Sequence, residues 1–417
     1  MTGGCPGAAE AFERRLDPGL AAPVAVGLSG GGDSLAALLA ARAWAARSGR
    51  PLIALTVDHR LQAASGGWTR FAAETAARLG AGFRALAWEG PKPATGLAAA
   101  ARLARHRLLA DAARQAGAGV LVLGHTADDL LEAEVMRGWG SSLGAMREWS
   151  PSPVWPQGRG LFILRPLLGQ RRAALRAWLA SLGERWIDDP ANDDLAQTRA
   201  RARAALAGGG EAPDPATDDP DAACLAAAVV AVGGGALRLD RAALASAPAA
   251  AARRVLAAAA LSAGGGPRPP RSARLEALRA RLAAPGPVRA TLCGARVIGE
   301  AEAVLVARDA GEARRGGLAP IDLPPGEAVV WDGRFEITGQ RAGLAVRPLA
   351  GLAARLDPAQ RSALRALPAA VRPALPVVVD AQGLATCPIL ADGPAAACDL
   401  VRARTWAACG VIAAEQI

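Results

Sequence analysis

The segment Ser29-Gly-Gly-Gly-Asp-Ser34 constrains this chain more than any other feature of its sequence. It follows a short apolar run, Pro23 to Leu28, and leads into a helix-like stretch. A glycine turn between a buried strand and a helix exposes backbone N–H groups and the positive end of the helix dipole to an anion. Because Asp33 would repel a phosphate directly, its natural role in such a turn is to bind a bridging Mg²⁺. The segment therefore predicts a phosphate-binding loop made of Ser29, Gly30, Gly31, Gly32, Asp33 and Ser34.

Two better-known phosphate motifs do not fit this loop. A Walker A loop requires a lysine after the glycines, and the sequence has none there. The dinucleotide-binding GxGxxG pattern requires a further glycine in the helix, which is also missing. The alternative without a ligand is a tight strand-to-helix turn with a capping serine.

Strand-like and helix-like segments alternate along residues 21–207. Apolar runs typical of buried strands begin at Pro23, Leu52, Phe83 and Val120, and a helix-like stretch follows each of them. Continuous apolar runs are typical of parallel strands that are covered on both faces. The alternation of the two patterns therefore predicts an α/β fold with a doubly wound parallel sheet.

Two segments rich in Gly, Pro and Asp have the composition of linkers, namely residues 208–222 and 311–327. They divide the chain into a short N-terminal extension (1–20), the α/β domain (21–207), a mainly helical domain (223–310) and a small β-rich domain (328–417). The helical domain also contains hairpin-like pieces between Val288 and Ala307. We expect the two C-terminal domains to contact a large substrate.

The charge of the chain points to a polyanionic partner. The sequence has 48 Lys and Arg against 38 Asp and Glu, and Lys92 is its only lysine. Arginine binds phosphate bidentately and stacks on bases, which suits a nucleic acid. A high-GC genome would explain the preference for Arg over Lys, but it would not explain the net charge of +10.

The six cysteines form no CxxC pair and have no histidines at zinc-ligand spacing. This argues against a disulfide scaffold and against a structural zinc site. The N-terminal residues lack a basic segment followed by an apolar one, and the longest apolar stretch, residues 222–232, is too short to span a bilayer. We therefore expect a cytoplasmic protein without a membrane segment.

His125 and three carboxylates lie where the fourth predicted strand gives way to a helix. Ligands bind at the carboxyl ends of strands in open α/β sheets, which favours a functional role for His125. Asp128, Asp129 and Glu132 open the next helix, and their spacing places Glu132 near both aspartates on one face. Such a cluster could bind Mg²⁺, with Asp128 as a ligand beside Asp33, or it could bind an ammonium group. The alternative is that the helix dipole alone favours these carboxylates.

Arginines form two further groups in the α/β domain. Arg102 and Arg105 lie three residues apart on a predicted helix and could bind phosphate or a nucleic-acid backbone. Arg199, Arg201 and Arg203 alternate near its end. A solvated arginine face is the alternative for the first group.

Four motifs follow the glycine loop in a fixed order. The first two are Val57-Asp-His-Arg-Leu61 and Ala98-Ala-Ala-Ala-Arg-Leu-Ala-Arg-His-Arg107. The others are Leu123-Gly-His-Thr-Ala-Asp-Asp-Leu-Leu-Glu132 and Trp186-Ile-Asp-Asp-Pro-Ala-Asn-Asp193, which runs on to Arg203. The loop resembles that of the N-type ATP pyrophosphatases, and the ordered set of motifs resembles the tRNA(Ile)-lysidine synthetases. The resemblance covers about residues 21–205.

This resemblance implies an ATP-dependent ligase with an adenine nucleotide α-hydrolase-like fold. Such an enzyme uses ATP and Mg²⁺ to activate the wobble cytidine of the CAU-anticodon tRNA(Ile). It then joins free L-lysine to C2 of the base and releases AMP, pyrophosphate having left in the first step. The resemblance implies that Asp129 and Glu132 bind lysine, and that Arg201 is the arginine of its group most directly engaged with ATP or tRNA. The catalytic residues implied are Asp33, Arg105, His125, Asp129 and Glu132, with further tRNA or phosphate contacts from Arg102, Arg105, Arg199 and Arg201.

The sequence departs from the family pattern at three positions that bear on substrate contacts. Ala98, Thr126 and Ala200 stand where the family has glutamate, histidine and asparagine. These departures favour a rival interpretation, a module that binds nucleotide or tRNA without catalysis, but the intact loop and acidic cluster oppose it. A second rival is a related tRNA thiolase, which needs a persulfide cysteine or a CxxC-bound cluster, and residues 21–207 contain no cysteine. A glutamine-dependent amidotransferase would need a glutaminase domain with a nucleophilic cysteine, and none is recognisable.

Overall fold

The computed structural model describes Cys5 and residues 7–62, 64–141, 144–189, 194–206 and 210–415. The chain forms two compact units, which we call the first unit and the second unit. The first unit comprises the chain up to Asp218 together with the segment that starts at Ile412, and the second unit runs from Asp219 to Val411. The linker predicted at residues 208–222 contains this change of unit. The predicted boundary between residues 207 and 208 lies outside the described residues.

The first unit contains a six-stranded sheet. Its strands are β1 (Val24–Gly27), β2 (Leu52–Asp58), β3 (Gly82–Ala87), β4 (Val120–Val122), β5 (Trp149–Pro151) and β6 (Phe162–Leu164). Their order across the sheet is β3-β2-β1-β4-β6-β5, and every neighbouring pair is parallel except β5 with β6. From β1 the chain adds β2 and β3 on one side and then returns to add β4 on the other side. Ligands bind in doubly wound sheets at the point where the order of strands reverses in this way, here between β1 and β4. The predicted α/β class is thus confirmed.

Seven helices accompany this sheet in the described part of the first unit. They are α1 (Ala9–Arg15), α2 (Gly32–Ser48), α3 (Ser65–Arg78), α4 (Leu97–Gln115), α5 (Ala127–Gly138), α6 (Arg172–Ser181) and α7 (Thr198–Ala205). Ala25 and Leu121 of the sheet are fully buried and share a cluster with Leu109 and Ala113 of α4. Alanines at this interface let the helix approach the strands closely, so an alanine-rich chain still forms a packed core.

The N-terminal extension and the last described residues both belong to the first unit. Phe12 of α1 is buried and stacks on Trp44, with ring centroids 6.2 Å apart. Near the other end of the chain, the carboxylate of Glu415 accepts hydrogen bonds from Arg50 at 2.5 and 3.0 Å, and both side chains are buried. Trp149 donates its indole N–H to the carbonyl of Ile412 at 2.9 Å. The sequence assigned residues 412–415 to the β-rich C-terminal domain, whereas the structure groups them with the first unit.

The second unit has six helices and three sheets in its described residues. The helices are α8 (Pro220–Ala227), α9 (Arg241–Ser246), α10 (Ala249–Ala263), α11 (Ser272–Ala283), α12 (Pro358–Ala366) and α13 (Val401–Cys409). The strands are β7 (Val230–Gly233), β8 (Ala236–Asp240), β9 (Val288–Leu292), β10 (Ala295–Gly299), β11 (Ala303–Arg308), β12 (Ile321–Leu323), β13 (Ala328–Trp331), β14 (Phe335–Gly339), β15 (Leu344–Pro348), β16 (Pro376–Val379), β17 (Ala385–Thr386) and β18 (Ala395–Asp399). They form sheets of five, four and three strands, in the orders β7-β8-β11-β10-β9, β12-β15-β16-β17 and β13-β14-β18.

One apolar core of the second unit joins segments that the sequence assigned to different domains. Val255 and Leu256 of α10 share this core with Val401 and Cys409 of α13. The structure therefore groups residues 223–310 and 328–411 in one compact unit, and their division into two domains stays a prediction. Among the described residues, no helix combines the length and the apolar character needed to cross a membrane.

Candidate active site

The glycine loop turns the chain from β1 into α2. The hydroxyl of Ser34 accepts hydrogen bonds from the backbone N–H of Ser29 at 3.1 Å and from its hydroxyl at 3.2 Å, and it donates to the carbonyl of Gly31 at 2.8 Å. Gly30 has φ +88°, and a Cβ there would lie 2.8 Å from the Ile187 side chain. The hydrogen bonds of Ser34 thus stabilise the turn. Position 30 requires glycine because of its positive φ and its close contact with Ile187.

The loop after β4 lies directly against the glycine loop. A Cβ on Gly124 would lie 2.3 Å from the backbone oxygen of Asp33, so only glycine permits this approach. The next residue is His125, whose side chain is buried and whose Nδ1 has no hydrogen-bond partner among the described residues. Burial, and then the nearby charges of Arg165 and Arg105, hold the pKa of His125 well below its ordinary value. His125 is therefore a neutral imidazole at the junction of β1 and β4.

Asp129 both caps helix α5 and faces the arginines. Its Oδ2 accepts hydrogen bonds from the backbone N–H and the hydroxyl of Thr126, at 2.7 and 3.0 Å. This is the reciprocal cap that favours serine or threonine just before a helix with an acidic third residue. Its other oxygen is bonded to Arg199. A role at the helix N-terminus therefore accounts for the contacts of Oδ2, but it does not account for the bond between Oδ1 and Arg199.

Glu132 is the centre of an ion-pair network. Only 1% of its side chain is exposed, and its two oxygens are bonded to Arg199 at 2.7 Å, Arg203 at 2.9 Å and Arg172 at 3.3 Å. A buried carboxylate is tolerated when it is fully paired and hydrogen-bonded in this way. The spacing argument from the sequence placed Asp129 and Glu132 on one face correctly, but it did not find their arginine partners.

Arg172 was not singled out from the sequence, and it links the glycine loop to the acidic cluster. Its Nε donates to Asp33 at 2.8 Å, and its backbone N–H donates to Asp128 at 2.7 Å. The surrounding carboxylates, Asp33 first, outweigh the effect of burial and hold the pKa of Arg172 above its ordinary value. Arg172 is the first residue of α6, and it lies outside the four motifs of the sequence analysis.

Asp33 and Asp128 differ in how well they could hold Mg²⁺. Burial raises the pKa of Asp33 against the opposing charge of Arg172, and Arg172 contacts its Oδ2. Asp128 is bonded through one oxygen to the Arg172 backbone and through the other to Arg171 at 3.1 Å. The described residues contain no group of three ligands that would bind a metal by themselves. Because Mg²⁺ often binds through one carboxylate and the substrate phosphates, Asp33 in the glycine loop fits that role, and Asp128 as a second ligand stays a prediction.

A group of cations surrounds the histidines on α4 and after β4. The Nε atoms of Arg105 and Arg165 are buried and have no hydrogen-bond partner among the described residues. Burial, followed by repulsion from Arg102, lowers the pKa of each of these two arginines to about 10. Arg165 does donate through Nη1 to the carbonyl of Arg147 and to Ser150, but a buried guanidinium Nε without a partner favours an anion, so this group suits a phosphate. Arg201 does not join any of these groups, since it donates to the carbonyls of Leu195 and Ala196 at 3.0 Å.

A cavity of about 480 Å³ opens beside the network, within the usual size range of small-molecule sites. Its lining includes Asp128, Glu132, Arg172, Ala200 and Arg203. The departure at Ala200 therefore falls on the cavity itself. Residues 190–193 of the fourth motif lie outside the described residues.

The comparisons with known proteins agree with the motifs. The model of the PP-loop domain family matches residues 8–208. The chain is 49% identical to tRNA(Ile)-lysidine synthase from Caulobacter vibrioides over 98% of both chains. It is 46% identical to the enzyme of the same name from Hyphomonas neptunium, over 47% of this chain and 55% of that one. Among solved structures, the U34-tRNA thiolase NcsA from Methanococcus maripaludis is 16% identical, with a TM-score of 0.41 over 48% of this chain and 71% of that one, which is too weak to bear on function. The chain belongs to the tRNA(Ile)-lysidine synthase family.

Proposed function

We propose that this protein joins lysine to C2 of the wobble cytidine in the CAU anticodon of tRNA(Ile), at the expense of ATP. The products are lysidine in the tRNA, AMP and pyrophosphate. One observation carries the proposal: the glycine loop and the acidic cluster lie at adjacent strand ends, Arg172 bonded to both. An anion site next to a carboxylate site is what a reaction between ATP, a base and an amine requires.

The first step is adenylation of the tRNA. ATP binds with its polyphosphate on the backbone N–H groups of the glycine loop and the N-terminus of α2. Asp33 would hold Mg²⁺, and the bound ion would neutralise part of the polyphosphate charge. The C2 oxygen of the cytidine attacks the α-phosphate, and pyrophosphate leaves. Arg105, whose buried Nε has no partner among the described residues, stabilises the negative charge that develops.

The second step is attack by the ε-amino group of lysine on C2, which expels AMP together with the former C2 oxygen. Asp129 and Glu132 bind the lysine ammonium before attack. The amine must lose a proton to become a nucleophile, and the neutral imidazole of His125 is one group that accepts it. Arg199, which is bonded to both carboxylates, orients them.

Thiolation by a related PP-loop enzyme fits these residues poorly. Cys5 is the one cysteine of the first unit, and burial raises the pKa of its thiol to about 12. A thiol that stays protonated is a poor nucleophile and a poor sulfur carrier.

Pyrophosphate release tests the proposal. With ATP, Mg²⁺, radiolabelled lysine and CAU tRNA(Ile), we expect one pyrophosphate released for each lysine that is joined to the tRNA. Without lysine, α-³²P-labelled ATP should leave its label on the tRNA. The isoleucine tRNA with a GAU anticodon is the matched control and should give neither signal. Pyrophosphate release that never places lysine in the tRNA would refute the ligation.

A further inference from the structure

Arg172 is the one arginine in the described site that contacts both the glycine loop and the acidic cluster. Its Nε lies 2.8 Å from Asp33, one terminal nitrogen lies 3.3 Å from Glu132, and the other lies 3.7 Å from Asp129. Its guanidinium thus lies between carboxylates assigned above to two different steps of the reaction. The backbone of Arg172 is also fixed, because its N–H donates a hydrogen bond to Asp128 at 2.7 Å.

Asp33 and the acidic cluster (Asp128, Asp129 and Glu132) together have no negative charge without an arginine partner in this arrangement. Four carboxylates are paired with four guanidinium groups, from Asp33, Asp128, Asp129 and Glu132 on one side and Arg171, Arg172, Arg199 and Arg203 on the other. A lysine ammonium entering this cluster would add a net positive charge at low exposure to water. Such an addition is unfavourable unless one guanidinium leaves.

We propose that Arg172 is a positioning residue that closes the acidic cluster to lysine until ATP is bound. This inference rests on the proposed function. It makes the order of the two steps a property of one side chain: ATP first, lysine second.

The polyphosphate of ATP supplies the reason for Arg172 to move. ATP brings several negative charges to the glycine loop, next to Asp33. A guanidinium binds phosphate oxygens bidentately, so the arriving phosphates compete for Arg172 with Glu132 and Asp129. When Arg172 turns to the phosphates, Glu132 and Asp129 lose one of their cationic partners, and the lysine ammonium takes the place of that guanidinium.

Coupling between nucleotide and lysine binding tests the gate. Radiolabelled lysine is titrated by equilibrium dialysis with CAU tRNA(Ile) present, with and without Mg²⁺ and α,β-methylene-ATP, an analogue that cannot be cleaved between the α- and β-phosphates. We expect the analogue to tighten lysine binding to the wild-type protein by about 5- to 150-fold, the usual range of coupling between two sites. In Arg172→Ala the ratio should fall to about one, because the cluster is open in both states.

Two further variants separate a gate from a structural role. Arg172→Lys keeps the charge, and with it the fold, but one ammonium cannot serve Asp33 and Glu132 together, so the ratio should also fall. Arg176→Ala is the matched control, because Arg176 lies one turn later on α6 and pairs with Asp188 instead. It should keep the wild-type ratio.

The outcomes distinguish this inference from the proposed function. A wild-type ratio near one, or a wild-type ratio retained in Arg172→Ala, overturns the gate and leaves the ligase proposal standing. A wild-type protein that binds no lysine in either state overturns both.

Discussion

His125 and His106 are held neutral inside the first unit. Both side chains are buried, and each has one ring nitrogen without a hydrogen-bond partner among the described residues. Burial, followed by the charges of nearby arginines, lowers the pKa of His106 to about 3 and that of His125 well below its ordinary value. An imidazole that is neutral in the folded protein can accept a proton during the reaction at neutral pH, but it makes folding sensitive to acid.

The first prediction concerns this sensitivity. The unfolded chain takes up protons at His106 and His125 below about pH 6.5 and the folded chain does not, so stability should fall as the pH drops below 6.5. Each histidine contributes up to about 1.4 kcal/mol per pH unit in that range. Urea unfolding between pH 5 and 8 measures the slope, which should become shallower in His106→Gln and in His125→Gln. His59→Gln should change the slope less, because burial lowers the pKa of His59 as well but this side chain is less buried; equal slopes in all variants would contradict the assignment.

The second prediction concerns Asp33. Asp33→Ala should reduce pyrophosphate release without lysine on the order of 100-fold or more, because a carboxylate beside a phosphate loop is useful only with a cation. The fold should survive, since Arg172 keeps Glu132 as a partner. Asp111→Ala, which removes a carboxylate from α4 away from the loop, is the matched control. Near-normal adenylation by folded Asp33→Ala would exclude the metal role.

Single residues were predictable where local spacing decided their place. Asp129 and Glu132 are three apart in one helix, so helical geometry alone placed them on one face. Arg172 was not predictable, because its partners Asp33 and Glu132 are 139 and 40 residues away and only the folded sheet brings them together. The contact of Arg201 with ATP or tRNA stays a prediction, and in the structure this side chain lies apart from Arg199 and Arg203. In the alternation of Arg199, Arg201 and Arg203 the helical period turns the middle residue away, and its side chain binds carbonyls of the preceding turn.

At the scale of elements, Glu132 fastens three helices to one another. It lies on α5 and is bonded to Arg172 of α6 and to Arg199 and Arg203 of α7. The alternating strand and helix pattern predicted β1 to β4, because each of them is an apolar run followed by a helix-like stretch. It did not predict β5 and β6, which have three residues each. It could not predict how α7 docks, since Ala200 and Ala202 bury little apolar surface and the ion pairs of this helix have no periodic signature.

The third prediction is that Glu132→Gln acts on stability as well as on lysine use. The change removes a charged partner from three guanidinium groups, although Arg172 keeps Asp33 and Arg199 keeps Asp129, and breaking a buried pair costs about 3–5 kcal/mol. Arg199 and Arg203 are more than a third exposed and can turn to water, so we expect about 2–3 kcal/mol here. Thermal unfolding of the protein checks this value.

The same variant should raise the lysine concentration needed for half-maximal rate far more than the ATP concentration. Pulse-labelling of tRNA with α-³²P-ATP separates the steps at a temperature where the variant is folded. Loss of the adenylated tRNA in the absence of lysine would move Glu132 from the lysine step to the adenylation step.

At the scale of the whole molecule, a net charge of +10 implies binding of tRNA through several phosphates. The fourth prediction is a steep dependence on salt, because each phosphate contact releases counterions. Six contacts or more would weaken binding about a thousandfold or more between 50 and 200 mM salt. Filter binding of tRNA across a salt series measures the slope, and a flat series would separate the charge from tRNA binding.

Two arginines of α11 make this test specific to the second unit. Arg274 is exposed, whereas Arg279 is bonded to Glu276 at 2.7 Å. If α11 contacts tRNA, Arg274→Ala should reduce the magnitude of the salt slope by about 0.7 to 0.9, and Arg279→Ala should reduce it less because its charge is already compensated. Equal effects of the two variants would place α11 outside the contact.

The pairing of Arg50 with Glu415 makes the first unit depend on the progress of translation. The two residues are 365 positions apart, and the whole second unit is synthesised between them. Until the ribosome has passed Glu415, Arg50 lacks its carboxylate partner, and a buried guanidinium without one is costly. A chain that stops early therefore carries a weakened ATP-binding domain, which opens more often and is exposed to proteases. The ion pair thereby couples the stability of the ATP-binding domain to residues that follow the whole second unit along the chain.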